Sequence, residues 1–471
     1  MAGVRHIAGG PIRRRTAVSV VLALALVLTG CTQVIDGEPS AMTSDLDAGP
    51  QQPPAQVQGG TGSATDRLAT TIVTGVESYW RQEFPTQFGR PWVNIHGYYA
   101  VDPKAPATAP ACVKRALDLD DQALYCPQMD SVVWDRVELV PHLVNTYGQG
   151  AVMVALAHEM GHAVQNRIGI DATTQLTEKD RYPTILLEGM ADCFAGSVLR
   201  GVVDRRVPNL ELDRPGLDRA LRALLSFRDA ASIGGGIPEG AHGDAFDRAS
   251  AFIDGYANGP NDCAGMTVGN QVFTQRGFIS FSDAASNGNL ILSDLLLYML
   301  PDANAWFGQL VTSRDRSWRQ PTLALDAPAR CATPDASGQG PAWFCPSNNT
   351  LVVSSRALGS VHDALGDYAS GMLLATRYAY ASMAALGRPT QGPEASRMAL
   401  CLAGAYTRAV FDRKSDFGLS PGDIDEAVDE LLDENYAARD LSGTPPRGDL
   451  GFERVQQFRT GVLDGSAKCG L

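Results

Sequence analysis

The chain has 471 residues, 44% of them hydrophobic, enough for two or three ordinary domains with real cores. Its formal net charge is −13, and an acidic surface argues against nucleic acid as a partner.

At the N-terminus, Arg13-Arg14-Arg15 precedes an apolar stretch from Ala17 to Leu28, followed by Leu28-Thr29-Gly30-Cys31. The stretch is too short and one-sided for a spanning helix, so residues 1–30 are expected to be a lipoprotein signal peptide. Leu-Thr-Gly-Cys resembles the lipobox of bacterial lipoproteins, which implies acylation of Cys31 and an extracytoplasmic protein anchored to the membrane without crossing it. Removing residues 1–30 discards four arginines and no acids, taking the net charge to about −17. Residues 31–66 are rich in Gly, Pro, Gln, Ser and Thr and are expected to form a disordered tether.

From Gly150 to Asn166 the residues are small, apolar and free of proline, which predicts a buried helix. His158 and His162 then stand at i and i+4 on one face, where two imidazoles can reach one ion. Glu159 lies one step round the helix, beside the open coordination position, as a general base for bound water. A second predicted helix, Ile185 to Arg200, carries Glu188 and Asp192, also at i and i+4, among Leu186, Leu187, Met190 and Phe194. Glu188 is expected to be the third ligand of one zinc ion. Asp192 is expected to accept the spare ring N–H of a ligand histidine.

These residues resemble the bacterial neutral zinc metallopeptidases, which pair HExxH with a downstream Glu-x-x-Ala-Asp and relate in pattern to the gluzincins. The resemblance rests on His158-Glu159-Met160-Gly161-His162, on Glu188-Gly189-Met190-Ala191-Asp192-Cys193, and on His242-Gly243 ahead of Phe246-Asp247-Arg248. It implies an α+β, zincin-like fold that is helix-rich with a small sheet, whose edge strand aligns a peptide or protein substrate. Residues 130–138 are the expected strand, on Val132-Val133-Trp134. It also implies peptide hydrolysis, with His242 as a candidate donor to the oxyanion. A non-catalytic envelope scaffold with a structural metal is the alternative, and such a site would have no need of Glu159.

Beyond Cys31, eight cysteines remain, and their spacing repeats. Cys112 to Cys126 and Cys331 to Cys345 are both 14 apart; Cys193 to Cys263 is 70 and Cys401 to Cys469 is 68. Both short pairs end in an aromatic-Cys-Pro run, and Met190-Ala191-Asp192-Cys193 is echoed by Met398-Ala399-Leu400-Cys401. The pattern predicts two tandem domains, 67–265 and 288–471, joined by a linker at 266–287, each with its own two disulfides. Aligning Gly150 with Gly371 places Ala379, Tyr380 and Met383 opposite His158, Glu159 and His162. Ser396 and Leu400 then face Glu188 and Asp192, and Arg447 falls near His242. The second domain is therefore expected to be a degenerate copy without a metal site.

Overall fold

The computed structural model describes residues 55–105, 112–327, 336–413, 417–445 and 450–471. The expected signal peptide, Cys31, Cys331 and Arg447 lie outside these. Of the expected tether, residues 55–66 are described and structured. Val57–Gln58 form a strand, and Ser63 caps the first helix by accepting from the Asp66 amide while the Asp66 side chain returns to the Ser63 amide.

The first half runs β1 (Val57–Gln58), α1 (Ala64–Phe88), β2 (Gly97–Val101), β3 (Ala123–Cys126), β4 (Ser131–Asp135), α2 (Leu139–Tyr147), α3 (Gln149–Ile168), α4 (Ala172–Thr177), α5 (Thr184–Val203), α6 (Arg214–Leu225), α7 (Ala245–Asn258) and α8 (Pro260–Ala264). The second runs α9 (Phe281–Ala285), α10 (Leu292–Thr312), β5 (Thr322–Leu325), β6 (Ala342–Cys345), β7 (Thr350–Val353), α11 (Ser355–Leu365), α12 (Asp367–Ala385), α13 (Pro393–Asp412), α14 (Asp423–Asp433) and α15 (Gly451–Asp464). The chain is thus helix-rich with two small mixed sheets. Among the described residues no helix is long and apolar enough to cross a membrane.

The first sheet has the order β1-β2-β4-β3, parallel except for β3, which runs antiparallel to β4 with Tyr125 opposite Val132. The strand expected at residues 130–138 is β4, and it is central. All five of its residues are buried because it is paired on both sides and packed on both faces. The edge next to the histidine helix is β3 instead. In the second sheet, β5-β7-β6, the last three strands of the first are repeated in the same order and senses.

Two close helix crossings set the geometry of the first half. A Cβ on Gly161 would lie 2.9 Å from the Ala191 Cα and carbonyl oxygen, so α3 and α5 meet backbone to backbone at that point. A Cβ on Gly196 would collide with the Phe252 carbonyl, and one on Gly255 with that of Cys193, which fixes α5 against α7. Gly404 and Gly461 make the matching contacts with Phe458 and Cys401 where α13 meets α15.

Disulfides join Cys112 to Cys126, Cys193 to Cys263 and Cys401 to Cys469. One continuous apolar core runs from Ala69 in α1 through Phe246 in α7 to Phe458 in α15. The halves therefore do not stand as separate globules on a linker.

The helix starts shift the expected pairing between the halves by three residues. Gly148, with φ 87°, precedes α3, and Gly366, with φ 107°, precedes α12. Counting from those breaks, Thr376, Arg377 and Tyr380 occupy the steps of His158, Glu159 and His162, in place of Ala379, Tyr380 and Met383. Side-chain positions agree: Arg377 Nε donates to the Ala342 carbonyl on β6, and Tyr380 lies beside Ser396.

Candidate metal centre

The Gly161–Ala191 crossing places one face of α3 over one face of α5, so His158 and His162 meet Glu188 and Asp192. His158 Nε2 lies 3.2 Å from Glu188 Oε2, and His162 Nε2 lies 3.6 Å from Glu188 Oε1. A tetrahedral zinc with bonds of about 2.0–2.1 Å holds its donors about 3.3–3.4 Å apart, so the spacing fits the ion. Only one other group of acids or histidines among the described residues is as tightly gathered, Asp367 with Asp423 and Glu426, and it contains no histidine.

The ring orientations also fit. His158 Nδ1 is 2.6 Å from Asp192 Oδ1, and His162 Nδ1 is 3.0 Å from Gln165 Oε1. Each Nδ1–H is therefore donated to an acceptor, which leaves both Nε2 lone pairs facing the same point. Gln165 can only accept from His162 through its oxygen, because its amide nitrogen is occupied by the Leu187 carbonyl.

Asp192 is fully buried and held in turn by Arg248 from α7, with Nε 2.8 Å from Oδ2 and Nη2 2.8 Å from Oδ1. The third guanidinium nitrogen, Nη1, donates to the Phe227 carbonyl at 2.9 Å. Burial raises the cost of the Asp192 charge, but Arg248 and His158 outweigh it and hold the carboxyl below its ordinary range.

The same competition runs through the cluster. Burial opposes a charge on His158, yet Asp192, with Glu188 and Glu159 behind it, pushes its pKa up to about 10. Burial would raise Glu188, but His162 and His158 keep it well below the usual carboxylate range. Glu159 is raised, by burial first, with both histidines and the Tyr125 backbone amide of β3 pulling the other way. The carboxyl of Glu159 thus sits between the histidines and the free edge of the sheet.

His158, Glu159, His162 and Glu188 open on a cleft of about 690 Å3, walled by β3 on one side and the loop after α6 on the other. His242 lines its mouth, with a side chain 55% exposed and Nδ1 3.3 Å from Asp229 Oδ1. Every site residue expected from sequence in the first half is therefore gathered in one place, His242 at the rim. Two supports were missed: Gln165, whose only sign is its i+3 step from His162, and Arg248, visible in sequence only inside the repeated Phe-acid-Arg run. His96 and His142 stand apart on the surface.

No curated protein and no solved structure matches this chain. Residues 2–267, more than half of its length, match the family model described as "Putative neutral zinc metallopeptidase", and the chain belongs to that family of zinc peptidases.

Proposed function

We propose that this chain is an extracytoplasmic peptidase, tethered to the membrane by lipid on Cys31, that hydrolyses peptide bonds in the cleft of its first half. The observation that carries the reading is the convergence of His158 Nε2 and His162 Nε2 on the two oxygens of Glu188, with Glu159 alongside. Zinc held by that trio supplies a Lewis acid that polarises a scissile carbonyl and acidifies an attacking water.

The protein groups do the rest. An extended peptide can add to the free edge of β3 by main-chain hydrogen bonds, which brings its backbone past Glu159. Glu159 takes the proton of the attacking water and returns it to the leaving amine. Asp192 and Gln165 hold the two imidazoles in the tautomer that leaves Nε2 free. His242, at the mouth, is the donor to the oxyanion in this reading.

We infer that residues 288–471 are a degenerate copy of residues 67–265, linked through 266–287. The repeated sheet order and the matching glycine crossings support this. Thr376, Arg377, Tyr380, Ser396 and Leu400 stand where the first copy has its metal-binding and supporting groups, so one zinc per chain is expected.

Metal analysis of the wild type beside His162→Ala, coupled to a peptide library, tests the function. One zinc per wild-type chain, with zinc and cleavage both lost in the variant, is the expected result; a metal-free wild type, or two zinc ions per chain, contradicts it. Cys31→Ser should release the protein from membranes, and continued membrane association would remove the lipid anchor.

A further inference from the structure

We propose that the second half is a positioning part of the metal centre: Asp425 and Asp429 on α14 hold the start of α7 and its preceding loop so that Arg248 keeps Asp192 on His158. This rests on the zinc site proposed above.

The connections are continuous hydrogen bonds. Asp425 Oδ1 accepts the amides of Ala245, at 2.9 Å, and Phe246, at 3.3 Å, the first two residues of α7. Those amides have no partner within their own helix, so a carboxyl from elsewhere completes the end of α7. Arg248 follows one turn later on the same helix. Its other fixed point, the Phe227 carbonyl, is next to Arg228, and Arg228 is gripped by Asp429 through two parallel bonds of 2.8 and 2.7 Å. Both supports of the Arg248 guanidinium are thus tied down by α14, one helix of the second half. From Arg248 the path continues through Asp192 to His158 Nδ1.

The arrangement is reciprocal. In the first half, α6 presents Asp218, which accepts the Phe452 amide at the start of α15 at 2.8 Å, and Arg222 of α6 pairs with Asp433 of α14. Each half therefore caps a helix of the other. The paths end differently: in the second half Leu400 stands in the place of Asp192, and Arg454 donates to the carbonyls of Leu431 and Leu432. The cap from Asp218 leads to no metal ligand, whereas the cap from Asp425 leads to one. A half that merely filled space would have no need to keep carboxyls at those two points of α14.

Burial pushes Asp425 well above the ordinary carboxyl range. Its part as acceptor needs an oxygen and not a charge, so an asparagine can supply it.

The mirror pair gives the test. Full-length Asp425→Ala, Asp425→Asn and Asp218→Ala are compared with wild type for zinc dissociation constant, measured by competition with a chromophoric chelator, and for the visible spectrum of the cobalt-substituted protein. Asp425→Ala should weaken zinc binding about tenfold, the lower end for supports of metal ligands, and should alter the cobalt spectrum. Asp425→Asn should stay within about twofold of wild type. Asp218→Ala loses the same kind of cap and should melt lower, yet keep wild-type zinc affinity and spectrum. Equal zinc affinities in the two alanine variants would overturn the proposal. If Asp425→Ala does not fold, Asp429→Ala carries the same test: a several-fold loss is expected, and unchanged affinity overturns it. A wild type that binds zinc but cleaves nothing refutes the peptidase reading and leaves these affinities to decide; a wild type that binds no zinc ends both.

Discussion

Arg248 holds both oxygens of Asp192, at 2.8 Å each, and neither residue is more than 5% exposed. A buried carboxylate that loses a buried guanidinium held on both of its oxygens is left with a largely uncompensated charge. Arg248→Met, which keeps much of the side-chain volume, should therefore destabilise the protein by about 3–5 kcal/mol in denaturant unfolding. A cost under about 1 kcal/mol would mean that Asp192 does not depend on this partner.

Glu159 is beside the histidines without being one of the three groups that converge. Glu159→Gln should keep the zinc content of wild type while lowering kcat by about 10²–10⁴-fold, the usual range for a general base. Chelator-sensitive proteolysis at near wild-type rate in this variant would exclude Glu159 as the proton acceptor.

Both ligand histidines have raised pKa values among the surrounding carboxylates, His158 up to about 10. A histidine must be neutral to bind metal, so zinc uptake near pH 7 should release protons, and apparent affinity should fall as pH falls. Calorimetry in buffers of different ionisation enthalpy reads the number released, expected to be about one or two. Zinc binding with no proton release, or unchanged between pH 7 and pH 5, would rule out this ligand set. Activity should decline on the acid side for the same reason.

The sequence made the metal residues legible because helical spacing alone puts His158 with His162, and Glu188 with Asp192, on single faces. The repeated cysteine spacing, with separations of 70 and 68 in the two long pairs, likewise anticipated the three described bridges. What stayed hidden depends on contacts distant in the chain. Arg248 reaches Asp192 only because Gly196 and Gly255 let α5 and α7 touch, and the Phe246-Asp247-Arg248 run around it does not tell which residue it meets. The edge strand was misplaced because Val132-Val133-Trp134 has the stronger strand composition, and that composition reflects burial in the middle of the sheet. The register obtained by aligning Gly150 with Gly371 differs by three residues from the one set by the glycine breaks that start α3 and α12, because those breaks are points of backbone geometry and not of shared sequence.

Asp367, Asp423 and Glu426 each bring one carboxyl oxygen within 4.8 Å of the others' at the starts of α12 and α14. Burial, and then the charge of Asp367, push Glu426 up to about 9. Its unfolded value is near the ordinary 4.5. Stability contributed by its bound proton is therefore complete below about pH 4.5 and is lost as pH rises towards 9. Glu426→Gln keeps an oxygen for the Tyr368 amide, which Glu426 now accepts at 2.8 Å, and carries no proton to lose. The variant should be about 1–2 kcal/mol more stable than wild type at pH 8–9, with the difference shrinking towards pH 5. Denaturant unfolding across that range checks it. A constant difference between the two proteins at every pH would show that the carboxyl at 426 titrates alike in the folded and unfolded chain.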